Sequence, residues 1–246
     1  MRLDHFLLEQ DYVKTRSQAT DLIKRGLISV NGEIVTKAGY DVKSPVIKIL
    51  KQDHFVSRAG EKLKGAILDF KIDFRDKIVI DIGASTGGFT DCALTYGAKH
   101  VYTYDVGSDQ LDQKLASDHR VTKHENTNIL DVQLPDADII LIDVSFTSIL
   151  PIMKHLKGFP KEMVCLIKPQ YEAGHMFFKQ GVLKDLKIHE KILNERLLEM
   201  KHLGFSLFGL KKSHLKGKQG NQEYILYIKP HKNEESINQM VRGVLC

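Results

Sequence analysis

The sequence is poor in cysteine and has no long apolar run. Its three cysteines, Cys92, Cys165 and Cys246, are too few and too scattered for a disulfide framework or a zinc site. Cys92 and Cys165 lie in apolar segments, so we expect reduced core residues. No apolar run approaches the roughly 20 residues that span a bilayer, and the N-terminus lacks a signal-peptide pattern. These absences predict a reduced, cytoplasmic protein with no metal site and no membrane insertion.

Positive charge is in modest excess and lies at the two ends of the chain. The formal net charge of the 246 residues is +5, and 42% of them are hydrophobic, enough for a substantial core. Residues 1–52 hold nine Lys or Arg against six Asp or Glu, and residues 211–246 hold seven against three. This distribution permits a nucleic-acid partner without requiring one.

The first 50 residues read as a small helical unit with a β-hairpin. Residues 2–10 place Leu3, Phe6 and Leu7 on one helical face, and residues 15–25 form a second short helix. The dipeptide Asn31-Gly32 then joins two alternating segments, which is the strongest short signal of a hairpin. We therefore expect an α+β domain over residues 1–50 and a linker over residues 51–59.

From residue 60 to residue 246, apolar strands alternate with amphipathic helices. This alternation is typical of a parallel sheet covered by helices on both faces. The last two strands are separated only by a loop, so we expect them to pair as an antiparallel hairpin at one edge. The sequence thus predicts an α/β, Rossmann-like sheet with an antiparallel edge hairpin, preceded by the small α+β domain.

The stretch DIGASTGGFT, residues 81–90, is a glycine-rich turn after the first strand of this sheet. A phosphate-binding P-loop needs a lysine after the second glycine, whereas Phe89 follows Gly88 here. The dinucleotide motif G-x-G-x-x-G is not matched either, since the spacing is G-x-x-x-G-G. The turn therefore indicates a ligand that needs no cradle for phosphate.

Two acidic residues accompany this turn. Asp81 ends the first strand and Asp105 ends the second, where an acid can hold ribose hydroxyls. S-adenosylmethionine fits this pattern, with Asp81 at its amino acid part and Asp105 at its ribose. A nicotinamide or flavin nucleotide, and a purely structural turn, remain alternatives at this point.

Four further polar residues stand where strands or helices should end. Asp143 and Lys168 each interrupt a buried apolar run at the carboxyl end of a strand, where open α/β sheets bind ligands. Lys62 lies in the helix before the first strand, and Glu223 opens the last strand. Alone, Lys62 and Glu223 are also compatible with solvated surface positions.

Five motifs occur in order, SRAGEKL, DIGASTGGFTD, DVSF, LIKPQ and GNQEYIL. With the N-terminal unit, they resemble the TlyA-type ribosomal RNA methyltransferases, often labelled haemolysins. These proteins join an αL RNA-binding domain to an FtsJ-like 2′-O-methyltransferase domain. The resemblance covers almost the whole chain and implies S-adenosylmethionine as cofactor and a cytidine ribose of ribosomal RNA as substrate. The short form here resembles the subgroup that modifies 23S RNA rather than both subunits.

The resemblance also implies a site. The FtsJ-like Lys-Asp-Lys-Glu tetrad maps onto Lys62, Asp143, Lys168 and Glu223, with Lys64 as a competing match for the first lysine. The segment ENTNI resembles the adenine-side contact. The residues expected to bind the cofactor are Asp81, Gly83, Ala84, Ser85, Gly87, Gly88, Phe89, Asp105, Asn126, Asn128 and Asp143.

The N-terminal unit is expected to deliver RNA, and we expect it to recognise folded RNA by shape. Its candidate phosphate contacts are Lys14, Arg16, Lys24 and Arg25, on or beside the second helix. The expected partner is ribosomal RNA within a ribosomal subunit, and the sequence leaves the oligomeric state open. A nicotinamide-dependent oxidoreductase, a cytolysin and an RNA-binding module without catalysis are the rival interpretations.

Overall fold

The computed structural model describes residues 1–13, 15–50, 55–173, 182–217, 219–230 and 236–245. The chain forms two compact units, Met1–Asp53 and His54–Cys246. Lys14, Cys246 and residues 51–54 of the expected linker lie outside the described residues. In the described part of the chain, every helix is too short or too polar to span a bilayer.

The first unit combines two helices with a small sheet. Its elements are α1 (Leu3–Glu9), α2 (Arg16–Lys24), β1 (Ile28–Val30), β2 (Glu33–Ile34) and β3 (Ile47–Ile49). The Thr15 side chain accepts a hydrogen bond from the Gln18 N–H at 3.1 Å and so caps α2. Asn31 and Gly32 both have positive φ, as a two-residue hairpin turn requires, and join β1 to β2.

This unit has its own apolar core. Helix α1 contributes Leu3 and Leu7, α2 contributes Ile23, and β1 contributes Ile28, all of them fully buried. The strand order is β2-β1-β3, with both pairings antiparallel. The hairpin was predicted from Asn31-Gly32, whereas β3 was not.

The second unit is built on seven strands and flanking helices. The strands are β4 (Ile78–Ile82), β5 (His100–Tyr104), β6 (Val121–His124), β7 (Ile139–Ile142), β8 (Glu162–Ile167), β9 (Leu207–Lys212) and β10 (Tyr224–Ile228). The helices are α3 (Arg58–Phe70), α4 (Gly88–Thr95), α5 (Gln113–Ala116), α6 (Leu150–His155), α7 (Pro169–Glu172), α8 (Leu186–His202) and α9 (Ile237–Leu245), with a short 3-10 turn at Ile129–Asp131.

The seven strands form one sheet in the order β6-β5-β4-β7-β8-β10-β9. The first five run parallel to one another, and β10 pairs antiparallel with both β8 and β9. This arrangement confirms the predicted α/β sheet with an antiparallel hairpin at one edge. Because β4 and β7 are adjacent and parallel, the segments after them meet at the same edge of the sheet.

Apolar side chains cover both faces of the sheet. One face packs against α6, α8 and α9, and the other packs against α3 and α4. The near-continuous burial of β4, β7, β8 and β10 explains their uninterrupted apolar sequences. The charged residues that end these strands are therefore held in a rigid frame.

Candidate active site

A cavity of about 580 Å³ lies at the carboxyl ends of β4, β5 and β7. Its wall combines carboxylates, amides and hydroxyls with apolar side chains. It is lined by Ile82, Gly83, Ser85, Tyr104, Asp105, Val106, Gln110, Thr127, Asn128, Ile129, Leu130, Asp143, Val144, Ser145, Phe146, Thr147, Ser148, Pro151 and Ile152. No Lys or Arg occurs among these described lining residues, whereas two Asp do. Such a cavity suits an adenosine that carries a cationic group better than one that carries a diphosphate.

The glycine turn after β4 brings backbone segments close together. Gly83 has φ +82°, and a Cβ there would lie 2.8 Å from the carbonyl oxygen of Asp143. Gly88 begins α4, and a Cβ there would lie 2.2 Å from Ser57 Oγ and 2.9 Å from the Gly60 backbone nitrogen. These two glycines allow the turn to meet the segment after β7 and the start of α3.

Asp81 lies beneath this turn and is fully buried. Its Oδ2 accepts a hydrogen bond from the Thr90 hydroxyl at 2.6 Å, whereas Oδ1 has no hydrogen-bond partner among the described residues. Burial raises the pKa of Asp81 to about 7. An unpartnered buried carboxylate oxygen favours a cationic or hydrogen-bond-donating ligand nearby.

Asp105 is held at the cavity wall by backbone donors. Its Oδ2 accepts from the Ser85 N–H and its Oδ1 from the Gly107 N–H, both at 2.8 Å. Asn128 lines the cavity as well and caps the following 3-10 turn through the Leu130 N–H at 3.2 Å. Asn126 has φ +51° and does not line the cavity.

The remaining expected cofactor residues are placed in two groups. Gly83, Ser85 and Asp143 line the cavity, together with Asp105 and Asn128. Asp81, Ala84, Gly87, Gly88 and Phe89 lie in or below the turn without lining it. Phe89 is 2% exposed and packs in the core under α3 and α4.

Lys62 and Glu223 form a buried ion pair. Lys62 Nζ lies 2.5 Å from Glu223 Oε2, and the two residues are 8% and 3% exposed. Lys64, the competing match, has 44% of its side chain exposed and lies 3.8 Å from Glu61. Burial against a carboxylate therefore singles out Lys62 of the two lysines.

Lys168 and Asp143 form the second ion pair. Lys168 Nζ lies 2.5 Å from Asp143 Oδ1 and donates a hydrogen bond to Ser145 Oγ at 2.9 Å. The Asp143 contact is a charge contact without hydrogen-bond geometry, since Oδ1 makes no hydrogen bond among the described residues. Lys168 is 7% exposed, at the end of β8.

The two pairs meet at the junction of β8 and β10. Tyr224 of β10 lies opposite Ile167 of β8 in an antiparallel pair. Glu223, just before Tyr224, and Lys168, just after Ile167, are therefore neighbours across the two strands. The Gln170 amide donates to Glu223 Oε1 at 3.2 Å and links the segment after β8 to the first pair. The structure thus brings Lys62, Asp143, Lys168 and Glu223 into one cluster.

Ser145, Tyr171 and Phe146 belong to the same region, and sequence reasoning gave none of them a firm role. The Tyr171 ring lies 5.9 Å from Lys168 Nζ. Burial raises the pKa of Tyr171, the Glu223 and Asp143 carboxylates act in the same direction, and a hydrogen bond with Ser145 acts against them. Phe146 is 83% exposed, has φ +65° and stands 5.2 Å from the Tyr171 ring. The signal available in the sequence was the DVSF motif, of which Ser145 and Phe146 are the last two residues.

The expected RNA contacts in the first unit are partly engaged with acidic neighbours. Arg16 Nε lies 2.8 Å from the buried Asp4, which also pairs with Arg2 at 2.9 Å. Arg25 lies 3.4 Å from Asp21, and Lys24 is exposed at the end of α2. Arg16 keeps half of its side chain exposed, so pairing with Asp4 leaves surface for another partner.

Residues 55–229 match the FtsJ-like methyltransferase model, and residues 1–45 match the S4 domain. The chain belongs to the FtsJ-like methyltransferase family. The resemblance predicted from the five motifs is confirmed, and S-adenosylmethionine is the cofactor that this family implies.

Relatives align over nearly the full length of this FtsJ-like protein. Hemolysin A of Brachyspira hyodysenteriae is 41% identical over 240 residues, 92% of this chain and 99% of that protein. The 23S rRNA (cytidine-2′-O)-methyltransferase TlyA of Campylobacter jejuni is 32% identical over 251 residues, covering 92% of this chain and 98% of that protein. A solved structure from Streptococcus thermophilus that carries the name hemolysin is 35% identical, with a TM-score of 0.76 over 99% of this chain and 94% of that chain.

Proposed function

We propose that this FtsJ-like protein transfers a methyl group from S-adenosylmethionine to the 2′-hydroxyl of a cytidine ribose in ribosomal RNA. The observation that carries the proposal is the cluster of two buried ion pairs beside a cavity whose described lining has two carboxylates and no basic residue. The Campylobacter relative, whose name states 23S rRNA, favours large-subunit RNA as the substrate. We place the reaction on RNA in a ribosomal subunit in the cytoplasm.

The residues of the cavity fit the cofactor. Asp105 would hold the ribose hydroxyls, Asn128 would lie on the adenine side, and Asp81 would face the amino acid part. The cofactor supplies an electrophilic methyl group on a positively charged sulfur. The carboxylates that line the cavity would stabilise that positive charge, and the apolar side chains Ile129 and Leu130 would exclude water from the adenine side.

The tetrad would orient the ribose for transfer. As the 2′-oxygen bonds the methyl group, the sulfur would keep the electron pair of the broken bond, and the hydroxyl proton would leave past Lys168 to solvent. The Lys168 ammonium, fixed by Asp143 and Ser145, would contact the 2′-oxygen and stabilise negative charge that develops on it. Lys62 and Glu223, fixed by each other and by Gln170, would hold the neighbouring part of the nucleotide. Alignment of oxygen, carbon and sulfur can contribute up to roughly 7–11 kcal/mol.

The first unit would bind folded RNA through its phosphates. An S4 domain at residues 1–45, exposed Lys24 and half-exposed Arg16 support this role. Lys14 and Arg25 remain proposed contacts, Lys14 outside the described residues. We also propose that the boundary between the two domains lies within residues 51–59.

The test maps 2′-O-methyl marks on ribosomal RNA treated with the native protein or with Lys168→Ala. We expect one cytidine mark with the native protein and a rate at least about 100-fold lower with the variant, because an interaction with the reacting oxygen is lost. Lys161→Ala, which removes a surface partner of Asp136, serves as the control and should methylate normally. Near-native turnover of Lys168→Ala would remove Lys168 from the mechanism.

A second measurement separates the methyltransferase from an oxidoreductase. Calorimetric titration with S-adenosylmethionine should show binding, whereas NAD should show none, because its diphosphate meets two carboxylates and no cation in the described cavity wall. Binding of NAD alone would contradict the proposed function.

A further inference from the structure

Glu172 is a buried carboxylate that lies between the segments after β7 and β8. It is in α7, where its N–H donates to the carbonyl of Lys168 at 3.2 Å. Only 3% of its side chain is exposed. A buried carboxylate destabilises the fold unless it is paired or hydrogen-bonded. Its hydrogen-bond partners therefore show which segments it holds together.

The partners of Glu172 belong to the loop that follows Asp143. Its Oε2 accepts from the Ser148 hydroxyl at 2.6 Å, and its Oε1 accepts from the Ile149 N–H at 2.8 Å. Both donors end residues 144–149, which we term the β7 loop and which lines the cavity. The same loop carries Ser145, the hydrogen-bond acceptor of Lys168.

Arg196 of α8 carries a positive charge close to the Glu172 carboxylate. Its Nε lies 3.7 Å from Glu172 Oε2, and its guanidinium pairs with Glu199 at 2.7 Å. Burial raises the pKa of Glu172, while the bonds from Ser148 and Ile149 act in the opposite direction. The carboxylate thus joins α8, α7 and the β7 loop at one point.

We propose that Glu172 is a positioning residue for methyl transfer, because it fixes the β7 loop to α7 and so sets the geometry between Asp143 and Lys168. The inference rests on the proposed function, since it assigns Asp143 and Lys168 to the reaction. Glu172 lies outside the tetrad and acts only through the two segments that it joins. Loss of this link would move Ser145 and Asp143 relative to Lys168 without removing any of them.

The decisive variant is Glu172→Gln, which keeps the size of the side chain and removes its charge. The carboxylate accepts one hydrogen bond on each of its two oxygens, from Ser148 and from Ile149, whereas the amide has only one oxygen. In the variant the NH₂ group would replace the oxygen that faces Arg196. We expect residues 144–149 to exchange amide hydrogens about tenfold faster.

We also expect the single-turnover rate of methyl transfer at saturating cofactor and RNA to fall about tenfold or more, because misplacement of reacting groups is costly. The cofactor Kd should change less than about threefold, which separates positioning from cofactor binding.

Glu199→Gln is the matched control, because Glu199 also pairs with Arg196 but does not contact the β7 loop in the described structure. In Glu199→Gln, the amide hydrogen exchange of residues 144–149 and the methylation rate should stay within about twofold of native, as is usual for surface substitutions. If Glu172→Gln does not fold, Ser148→Ala removes one of the two bonds and should give the same changes to a smaller extent.

Unchanged exchange of residues 144–149, or faster exchange with a native methylation rate, would overturn the proposal. If the native protein places no mark on ribosomal RNA, the proposed function fails. The exchange comparison then decides alone whether Glu172 holds the loop.

Discussion

At the scale of single residues, the buried Asp81 carboxyl makes the stability of the fold depend on pH. Its ordinary pKa is near 3.8, and burial, with the nearby Asp143 and Asp105 carboxylates, raises the pKa to about 7 against the effect of Thr90. Between about pH 4 and pH 7 the folded protein therefore holds a proton that the unfolded chain has released. The stability that this proton contributes is present below the unfolded pKa and is lost as the pH rises through about 7.

We predict that Asp81→Asn removes this part of the pH dependence. Without cofactor, the variant should be more stable than the native protein at pH 8 by more than about 1.4 kcal/mol, the equivalent of one pKa unit, and closer to it at pH 5. Urea unfolding at the two pH values measures the difference. Asp131→Asn, at an exposed site, is the control and should change neither curve. A variant less stable than native at pH 8 would contradict the assignment.

Residue identity alone was enough to propose part of the candidate site. Asp143 and Lys168 could be predicted because each interrupts an apolar run, which is informative without any tertiary structure. Glu172 and Tyr171 could not, since both stand in a polar segment and acquire meaning only through partners elsewhere in the chain. The SRAGEKL motif favoured Lys62 over Lys64, and Lys62 is also the buried one of the two.

At the scale of elements, the β4 turn shows how a backbone contact supports a charged group. Gly83 and Gly158 both have positive φ, +82° and +85°, but only Gly83 faces a crowded neighbour, the Asp143 carbonyl. Substitutions at these two glycines therefore distinguish the effect of backbone strain alone from the effect of a steric contact at the site.

We predict that Gly158→Ala costs about 1–2 kcal/mol of stability through its left-handed φ and leaves cofactor affinity unchanged. Gly83→Ala should suffer the same strain and also lose at least about tenfold in affinity for S-adenosylmethionine, because the added methyl displaces the end of β7. Unfolding curves and calorimetry measure the two effects. Equal affinity of the two variants would show that the contact at Asp143 is unimportant.

Most elements with a strong local signal were predicted correctly. The alternation of helices and strands, the Asn31-Gly32 hairpin and the antiparallel edge all follow from local pattern and loop length. Strand β3 and helix α9 were missed. Three residues carry too little periodicity to define strand β3. The signal for α9 was present in the sequence and was not used, since Ile237, Met240, Val241 and Val244 recur at helical spacing and pack against the core.

At the scale of the whole molecule, charge and chemistry are divided between the two compact units. The cavity and all four tetrad residues lie in the unit His54–Cys246, whereas the S4 match lies in Met1–Asp53. The first unit has its own buried core of leucine, isoleucine and valine side chains. Cofactor binding and RNA binding should therefore be separable by deletion.

We predict that removal of residues 1–50 leaves affinity for S-adenosylmethionine within about twofold of native but lowers ribosomal RNA methylation at least about 100-fold, since phosphate contacts supply much of the binding free energy. Calorimetry and methyl incorporation at several salt concentrations measure the two quantities. The full chain should bind RNA with a steep salt dependence, and the deletion variant with a shallower one, because fewer phosphates are neutralised. Undiminished methylation by the shortened protein would show that RNA is recognised by the methyltransferase unit itself, and the basic excess of residues 211–246 would then become the surface to mutate.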